Sequence, residues 1–384
     1  MATTTETISI PNRALVLAGL DNLDVKPWPL ILPASDGKPV VPAHNVLVRV
    51  RASGICGSDI HFWKEGRAGP DIIKEPFVIG HECAGEIYLV GDGVELYKVG
   101  DRVAIKPAAP CLKCDDCTTG QSNLCRFIKY FGVPGSDGSC CTMKLVPEEQ
   151  LVRLTPTISW TAAGLIQPLA IAVQMSRQAD LRAHQNIMIF GAGCIGVQLG
   201  AMAYAHGAKS VTFLEKQPHR AEFAKRFTGG NVFVNPERLS GETTEQYSRR
   251  VAKDILDHTP GLYRGFDVCI EATGAEECMQ MGITVCRPGG TYVQVGIYDG
   301  RTPQISMMDI CSKQMTVKGT WRYTTNCFEE AVNLIDKGMV DAEKLVSHVY
   351  EFERAPAAFE AVHKLRDVNG KPLLKTVILH TESN

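Results

Sequence analysis

The sequence lacks the long apolar run that a membrane-spanning helix requires. No stretch reaches the roughly 18 consecutive apolar residues of a bilayer span. The polar N-terminus MATTTETISIPN has neither the apolar core of a secretory signal nor the Arg-rich pattern of a transit peptide. The C-terminal HTESN matches no common retention or lipidation tag. We therefore expect a cytoplasmic protein that has no membrane partner.

An excess of charge of either sign is also absent. Lys and Arg number 40 against 42 Asp and Glu, which gives a formal net charge of -2. Because a nucleic-acid-binding protein needs a clustered basic surface, we expect no nucleic-acid partner. The sequence has no internal repeats and no low-complexity segments, and its 384 residues are enough for two domains.

Cysteine, by contrast, is plentiful. Fourteen cysteines without an export signal indicate a reducing compartment, where closely spaced cysteines are more often metal ligands than disulfides. The segment CLKCDDCTTGQSNLC contains Cys111, Cys114, Cys117 and Cys125. Four thiolates complete a tetrahedral zinc site and leave no position for substrate, so a structural zinc is predicted. An iron–sulfur site or a redox thiol pair is the alternative, and the near-neutral charge disfavours a nucleic-acid-binding zinc ribbon.

The distribution of β-branched residues divides the chain into two parts. Short strand-like segments bounded by Gly, Pro or Asp predict an antiparallel, barrel-like first domain: 45–55, 84–91, 101–107 and 141–147. A helical stretch follows from Thr161, in which Pro168 marks a start or a break. Apolar strands then alternate with helices and predict a parallel, doubly wound sheet: 186–191, 210–215, 231–236, 267–274, 290–296 and 314–320. The helix-like CFEEAVNLIDKGM and strand-like KTVILH are expected to return to the first domain.

A glycine-rich loop directly follows the first of these parallel strands. In IFGAGCIG, Gly191, Gly193 and Gly196 have the G-x-G-x-x-G spacing of a dinucleotide-binding turn, with Cys194 and Ile195 inside it. The alternative is a βα turn with a purely structural role. Cys194 is expected to be a buried small side chain, with a thiol-sensitive cofactor site as the alternative.

An acidic residue ends the next strand. Glu215 is placed to bind the ribose hydroxyls and to repel a 2′-phosphate, so NAD is favoured over NADP. Lys216 and Arg220 lie nearby and moderate that preference.

A second group of metal-ligand residues is dispersed. GICGSDIH contains Cys56, and GHECAGE contains His81 and Glu82. One thiolate, one imidazole and one carboxylate form an incomplete coordination shell, which a catalytic zinc needs in order to accept water or substrate. Each residue has a structural alternative as well: a buried cysteine, a core histidine or a solvated glutamate.

Together these motifs resemble the zinc-containing medium-chain dehydrogenase/reductase superfamily. GICGSDIHFW, GHECAGE, VGDRVAIKP, the four-cysteine segment, GAGCIG and RPGG occur in the expected order along almost the whole chain. The resemblance implies an α/β protein with a GroES-like β-barrel catalytic domain (1–176 and 321–384) and a Rossmann NAD-binding domain (177–320). SDIHFW, LIQPLAIAV and WRY are most similar to polyol dehydrogenases that act on sorbitol, xylitol or L-arabinitol.

The resemblance also implies roles for individual residues. Cys56, His81 and Glu82 would bind the catalytic zinc, and the four cysteines of the segment would bind a second one. Ser58 would hydrogen-bond the substrate hydroxyl and His61 would continue the proton relay. Arg322 and Tyr323 would line the polyol pocket.

One position departs from the family pattern. Gln167 stands where the polyol dehydrogenases usually have a Glu that contacts the zinc or its water. A neutral side chain avoids a second negative charge, which should strengthen the zinc as a Lewis acid, but it also removes a possible proton acceptor.

The predicted function is NAD-dependent, zinc-assisted oxidation of a secondary alcohol on a small polyol, with ketose reduction as the reverse reaction. One alternative is a zinc dehydrogenase of a simple alcohol, threonine or the glutathione adduct of formaldehyde. Another is an inactive NAD-binding regulatory protein, which the retained ligand set disfavours. The resemblance further implies a homotetramer.

Overall fold

The computed structural model describes residues 6–69, 71–259, 261–262, 264–296 and 302–380. The chain forms two compact units. One comprises Met1–Gln167 and Phe328–Asn384, and the other is Pro168–Cys327. The predicted Rossmann boundaries, 177–320, lie inside the second unit, and they remain a prediction about the functional domains.

The first unit is β-rich, as its short β-branched segments predict. Elements are numbered along the whole chain. The strands of this unit are β1 (Thr7–Ile10), β2 (Arg13–Leu17), β3 (Leu23–Pro27), β4 (Leu30–Ser35), β5 (Lys38–Pro39), β6 (Asn45–Gly54), β7 (Arg67–Ala68), β8 (Asp71–Ile72), β9 (Phe77–Val78), β10 (Glu82–Val90), β11 (Arg102–Ile105), β12 (Ala108–Ala109), β13 (Lys129–Tyr130), β14 (Met143–Pro147), β15 (Leu151–Arg153), β22 (Val346–Glu351) and β23 (Lys375–Leu379).

The largest sheet of this unit is built around β6. The strand order is β15-β11-β10-β6-β23-β22, and β14 also pairs with β6. All pairs are antiparallel except β22 with β23. Strand β6 pairs with three partners because it is long and its apolar side chains, Val46, Leu47, Val48 and Val50, are all buried.

Helices of the first unit are few and short. They are α1 (Gly57–Glu65), α2 (Asp115–Thr118), α3 (Trp160–Ala163), α10 (Cys327–Asp336), α11 (Ala342–Leu345) and α12 (Ala355–Lys364), with 3-10 turns at Ser122–Leu124, Glu148–Gln150 and Phe352–Arg354. The unit boundaries fall within α10 and within α4 (Ile166–Ala179). Pro168 is the third residue of α4, where a missing N–H costs no helical hydrogen bond, so it marks the start of a helix.

The second unit has the predicted doubly wound parallel sheet. Its strands are β16 (Asn186–Phe190), β17 (Ser210–Glu215), β18 (Asn231–Val234), β19 (Phe266–Glu271), β20 (Cys286–Gln294) and β21 (Thr316–Gly319). Their order is β18-β17-β16-β19-β20-β21, and every pair is parallel. This is the order of a dinucleotide-binding sheet. Successive strands are added on one side of β16 as far as β18, and on its other side from β19 onward. The fold class predicted from sequence is confirmed.

Helices connect these parallel strands. They are α5 (Cys194–Ala205), α6 (Pro218–Thr228), α7 (Thr244–His258), α8 (Glu276–Val285) and α9 (Met307–Ser312). Helix α7 begins with a capping box in which Thr243 and Gln246 satisfy each other's backbone N–H groups. The core packs large side chains such as Phe190, Phe266 and Tyr292 between sheet and helices. Among the described residues, no helix combines the length and apolar character needed to cross a membrane.

Candidate active site and cofactor loop

Three predicted ligands lie close together near the junction between the end of strand β6 and the start of helix α1. Cys56 is the N-cap of α1, and His81 and Glu82 lie at the start of β10, which pairs with β6. Their ligand atoms all lie within 4.8 Å of one another. Gly54 faces Glu82 across the ladder, and a Cβ there would lie 2.1 Å from Glu82 Oε2. Glycine is therefore required at Gly54 for the carboxylate to enter the cluster.

Asp59 supports two of these ligands, and sequence reasoning did not identify it. One carboxylate oxygen accepts a hydrogen bond from Cys56 N at 3.0 Å, and the other lies 3.4 Å from His81 Nδ1. Asp59 is completely buried. Burial alone lowers the pKa of His81, but the charges of Tyr130, Asp59 and Cys56 outweigh it and hold that pKa well above its usual value. A thiol, an imidazole and a carboxylate so close together suit a divalent cation.

Lys375 is the second residue that sequence reasoning missed. It lies on β23, 293 residues after Glu82, and its ammonium pairs with Glu82 Oε2 and donates to Ile55 O at 2.8 Å. The side chains of Lys375 and Glu82 are 5% and 2% exposed. A buried carboxylate needs a counter-ion, and Lys375 supplies one from the chain itself.

The predicted proton-transfer residues lie on the helix that Cys56 caps. Ser58 is half-buried, and its Oγ donates to Cys56 Sγ at 3.3 Å. His61 is exposed, and its Nδ1 lies 2.8 Å from Glu65 Oε1. The structure thus places Ser58 beside a candidate zinc ligand and His61 at the solvent surface.

Gln167 is buried and contacts a residue that sequence reasoning did not identify. Its Nε2 donates to Tyr130 Oη at 3.4 Å, and the Tyr130 ring centroid lies 5.9 Å from that of His81. Tyr130 therefore connects Gln167 to the cluster of candidate ligands. Nothing in the local sequence around Tyr130 signals this position.

The four cysteines of the CLKCDDCTTGQSNLC segment form the second cluster. The sulfur atom of Cys114 lies 3.6 Å from that of Cys117 and 3.7 Å from that of Cys125, and all four sulfurs lie within 4.8 Å of one another. A tetrahedron with zinc–sulfur bonds of about 2.3 Å has sulfur–sulfur separations of about 3.8 Å. The spacing of the sulfurs therefore fits zinc, and the pairing of β12 with β13 closes the loop that carries them.

The pKa values of two of these thiols are shifted in opposite directions. Hydrogen bonds from the backbone of Lys113 lower the pKa of Cys111 to about 6, while burial raises the pKa of Cys117 to about 12. Hydrogen bonds with the thiols of Cys114 and Cys125 further lower the pKa of Cys111 and raise that of Cys117. A cation bound by all four sulfurs would replace those protons.

The glycine loop lies between β16 and α5. Gly191 has φ 96°, a conformation that favours glycine, and a Cβ on Gly196 would lie 2.1 Å from Gly191 O. A Cβ on Gly193 would meet no atom within 4 Å, so the space beside it is open to a ligand. Gly193 is the N-cap of α5 and makes no side-chain hydrogen bond to the helix, and a helix N-terminus favours a bound anion. The loop fits a pyrophosphate.

Cys194 and Ile195 begin helix α5 and are half-buried. The expectation that Cys194 is a buried side chain is therefore wrong, since its side chain is half-buried at the first position of α5, whereas Gly196 and Val197 in the same turn are buried.

Glu215 ends β17 and its carboxylate is fixed by backbone groups. One oxygen accepts from Ala192 N and the other from Gln217 N, both at 2.9 Å. Glu215 is 6% exposed. Arg220 lies half-buried in the first turn of α6.

Arg322 and Tyr323 follow β21 in a short loop. Arg322 has a left-handed backbone with φ 56°, and its guanidinium carbon lies 5.6 Å from the centroid of the Trp321 ring. Tyr323 is 6% exposed.

Comparison with known proteins agrees with this arrangement. Residues 42–156 match the alcohol dehydrogenase GroES-like domain, and residues 194–337 match the zinc-binding dehydrogenase family. "D-xylulose reductase A" of Aspergillus oryzae is 39% identical over 83% of this chain and 87% of its own length. "Probable D-xylulose reductase A" of Arthroderma otae is 37% identical over 91% of this chain and 94% of its own length. The crystal structure of L-idonate 5-dehydrogenase from Escherichia coli, 26% identical, has a TM-score of 0.81 and covers 97% of this chain and 99% of its own.

Fold, ligand clusters and sequence similarity define a zinc-binding oxidoreductase that acts on CH–OH groups. The chain belongs to the zinc-containing medium-chain dehydrogenase/reductase family, in its polyol dehydrogenase branch.

Proposed function

We propose that this chain interconverts a small polyol and its ketose, with the xylitol and D-xylulose pair as the first candidate. The observation that carries the proposal is the cluster of Cys56, His81 and Glu82, whose three ligands leave a coordination position for a substrate oxygen. Relatives named D-xylulose reductase, 35% to 39% identical, support the choice of substrate.

We further propose two zinc ions per chain. Cys56, His81 and Glu82 would hold the catalytic one, and Cys111, Cys114, Cys117 and Cys125 the structural one. When bound, the catalytic zinc would supply Lewis-acid polarisation of the substrate hydroxyl, and the nicotinamide would supply the acceptor for the hydride of the carbon that bears that hydroxyl. Four thiolates leave no position for substrate, so the second site stabilises its loop.

The chain's own side chains would move the proton. Ser58 Oγ lies next to Cys56 and can hydrogen-bond a substrate hydroxyl held at the open position. His61 is exposed and paired with Glu65, so it can pass a proton from Ser58 to solvent. Gln167 is neutral and buried against Tyr130, and it adds no negative charge to the site. Arg322 and Tyr323 would hydrogen-bond the additional hydroxyls of the polyol.

NAD is the proposed cofactor. The N–H groups at the start of α5 would bind the pyrophosphate, beside Gly191, Gly193 and Gly196. Glu215 is fixed by Ala192 N and Gln217 N in a position that would accept ribose hydroxyls and repel a 2′-phosphate. Arg220, in the first turn of α6, would contribute to cofactor binding and moderate the preference for NAD.

The test is a cofactor-reduction assay. Xylitol, L-arabinitol, D-sorbitol, galactitol, ethanol and L-threonine are each offered with NAD and with NADP, before and after treatment with a zinc chelator. We expect chelator-sensitive turnover of polyols with NAD. Turnover of ethanol or threonine alone would refute the roles of Arg322 and Tyr323 and leave the zinc mechanism intact. A cytoplasmic homotetramer is part of the proposal, and light scattering and localisation of the tagged chain test it.

A further inference from the structure

The loop that contains Arg322 and Tyr323 is fixed by a buried glutamine of helix α4. Gln174 is 2% exposed. Its Oε1 accepts hydrogen bonds from Thr324 N at 3.2 Å and from Thr324 Oγ1 at 2.7 Å. Cys327 Sγ donates to the same oxygen at 3.5 Å. One side-chain oxygen thus anchors the residue directly after Tyr323.

Arg177 and Lys318 also hold this loop against α4, and Arg177 Nη1 approaches Thr324 Oγ1 at 3.5 Å and Cys327 Sγ at 3.3 Å. Arg177 Nη1 donates to Thr325 O at 2.9 Å, and Lys318 Nζ donates to Gln178 O at 3.0 Å. The loop is therefore attached before and after the Trp321–Tyr323 segment. Of these attachments, the one through Gln174 is the most deeply buried. The loss of a hydrogen bond costs the most free energy at a buried position.

The backbone of the loop is held in conformations that residues with a side chain seldom adopt. Arg322 has φ 56° and Asn326 has φ 64°. Both values lie in the left-handed region, where a Cβ clashes with the backbone. Such conformations persist only when surrounding contacts determine them, and they concentrate at ligand-binding sites. The direction of the Arg322 side chain consequently depends on the anchors around it.

We propose that Gln174 is a positioning residue that determines selectivity for polyols over simple alcohols. The inference rests on the proposed role of Arg322 and Tyr323 in binding polyol hydroxyls. Without an acceptor at Gln174, Thr324 N and Oγ1 lose their buried partner and the left-handed turn at Arg322 relaxes. A polyol then loses its oriented contacts, whereas an alcohol with a single hydroxyl has none to lose.

The experiment compares Gln174→Met, which keeps the size of the side chain and removes the acceptor, with Gln174→Glu, which keeps the acceptor. Gln178→Met is the matched control, since only the backbone oxygen of Gln178 holds the loop. For the holoenzyme with NAD, kcat/KM is measured for xylitol and for 2-propanol. We expect Gln174→Met to lower the xylitol value roughly 10- to 100-fold, chiefly through KM, because a buried hydrogen bond is left unmade. The 2-propanol value and the KM for NAD should change less than about threefold, and Gln174→Glu should restore xylitol turnover.

Amide hydrogen exchange provides a readout that does not depend on turnover. Gln174→Met should accelerate exchange in residues 320–327, and the Gln178→Met control should not. If Gln174→Met fails to fold, Thr324→Val removes the hydroxyl from the other side of the same bond. Equal losses for both alcohols, or unchanged exchange in 320–327, would overturn the inference.

Arg322→Ala separates this inference from the proposed function. If Arg322→Ala lowers xylitol turnover selectively while Gln174→Met does not, the positioning role is wrong and the polyol pocket stands. If Arg322→Ala affects xylitol and 2-propanol equally, the pocket itself is wrong, and the selectivity role of Gln174 is overturned with it.

Discussion

Lys375 offers the sharpest test of how the candidate catalytic site is stabilised. Its ammonium is the buried counter-ion of Glu82, and it also donates to Ile55 O at 2.8 Å. Lys375→Met keeps the length of the side chain and removes its charge. Breaking a buried ion pair by removing one partner destabilises a protein by about 3–5 kcal/mol, because a charge is left without compensation. We expect that loss in the free energy of unfolding of metal-free protein.

Zinc should reduce this loss. An ion bound by Cys56, His81 and Glu82 supplies the positive charge that Lys375 no longer provides, so only the hydrogen bond to Ile55 O remains lost, about 1 kcal/mol. Linkage then requires the variant to bind zinc more tightly by the difference, roughly 2–4 kcal/mol, or about 30- to 900-fold.

Urea unfolding with and without zinc, together with competition against a chelator, measures both quantities. Lys344→Met is the matched control, since Lys344 pairs with Asp341 at 2.7 Å but its side chain is 74% exposed. That control should lose less than about 1 kcal/mol and should leave zinc affinity unchanged. Equal destabilisation of Lys375→Met with and without zinc, at unchanged zinc affinity, would refute the reasoning.

Other substitutions test the remaining parts of the chain. Gln167→Glu adds a negative charge to the site, so the pH–rate profile should move upward by roughly one pH unit. Glu215→Gln should reduce the preference for NAD over NADP by about 10- to 100-fold, as measured by the two KM values. Cys114→Ser should lower the zinc content from two ions to one per chain by elemental analysis. Burial lowers the pKa of His380 to about 3. Since the unfolded chain takes up the proton near pH 6.5, stability present above that pH should fall by about 1.4 kcal/mol on acidification to pH 5.5, and His380→Gln should remove this loss.

Each of these expectations has a contrary result. An unchanged profile in Gln167→Glu would mean that the residue does not tune the zinc, and an unchanged cofactor ratio would remove Glu215 from ribose binding. Retention of both ions by Cys114→Ser would show that the four sulfurs do not form one site. A urea midpoint that falls equally in wild type and His380→Gln would assign the acid sensitivity to another group.

The sequence alone was informative where a signal is local. Continuous apolar strands alternating with helices predicted the parallel sheet, because burial on both faces imposes that pattern. The spacing of Gly191, Gly193 and Gly196 predicted the turn between β16 and α5. The steric limits that favour glycine there involve only residues a few positions apart. Four cysteines within fifteen residues predicted that their sulfurs lie together, because so short a loop brings them close.

Tertiary structure decided the contacts that join distant strands. Lys375 reaches Glu82 only because β23 pairs with one edge of β6 and β10 with the other, a pairing that nothing near either residue encodes. Gln174 meets Thr324, 150 residues away, because helix α4 packs beside the loop that follows β21. The local pattern of a chain reports which faces are buried, but the choice of partner for a buried polar group depends on how the strands and helices assemble. The sequence therefore determined which chemical groups this protein has at its candidate sites. The fold determined which distant side chains neutralise those groups and hold them in position.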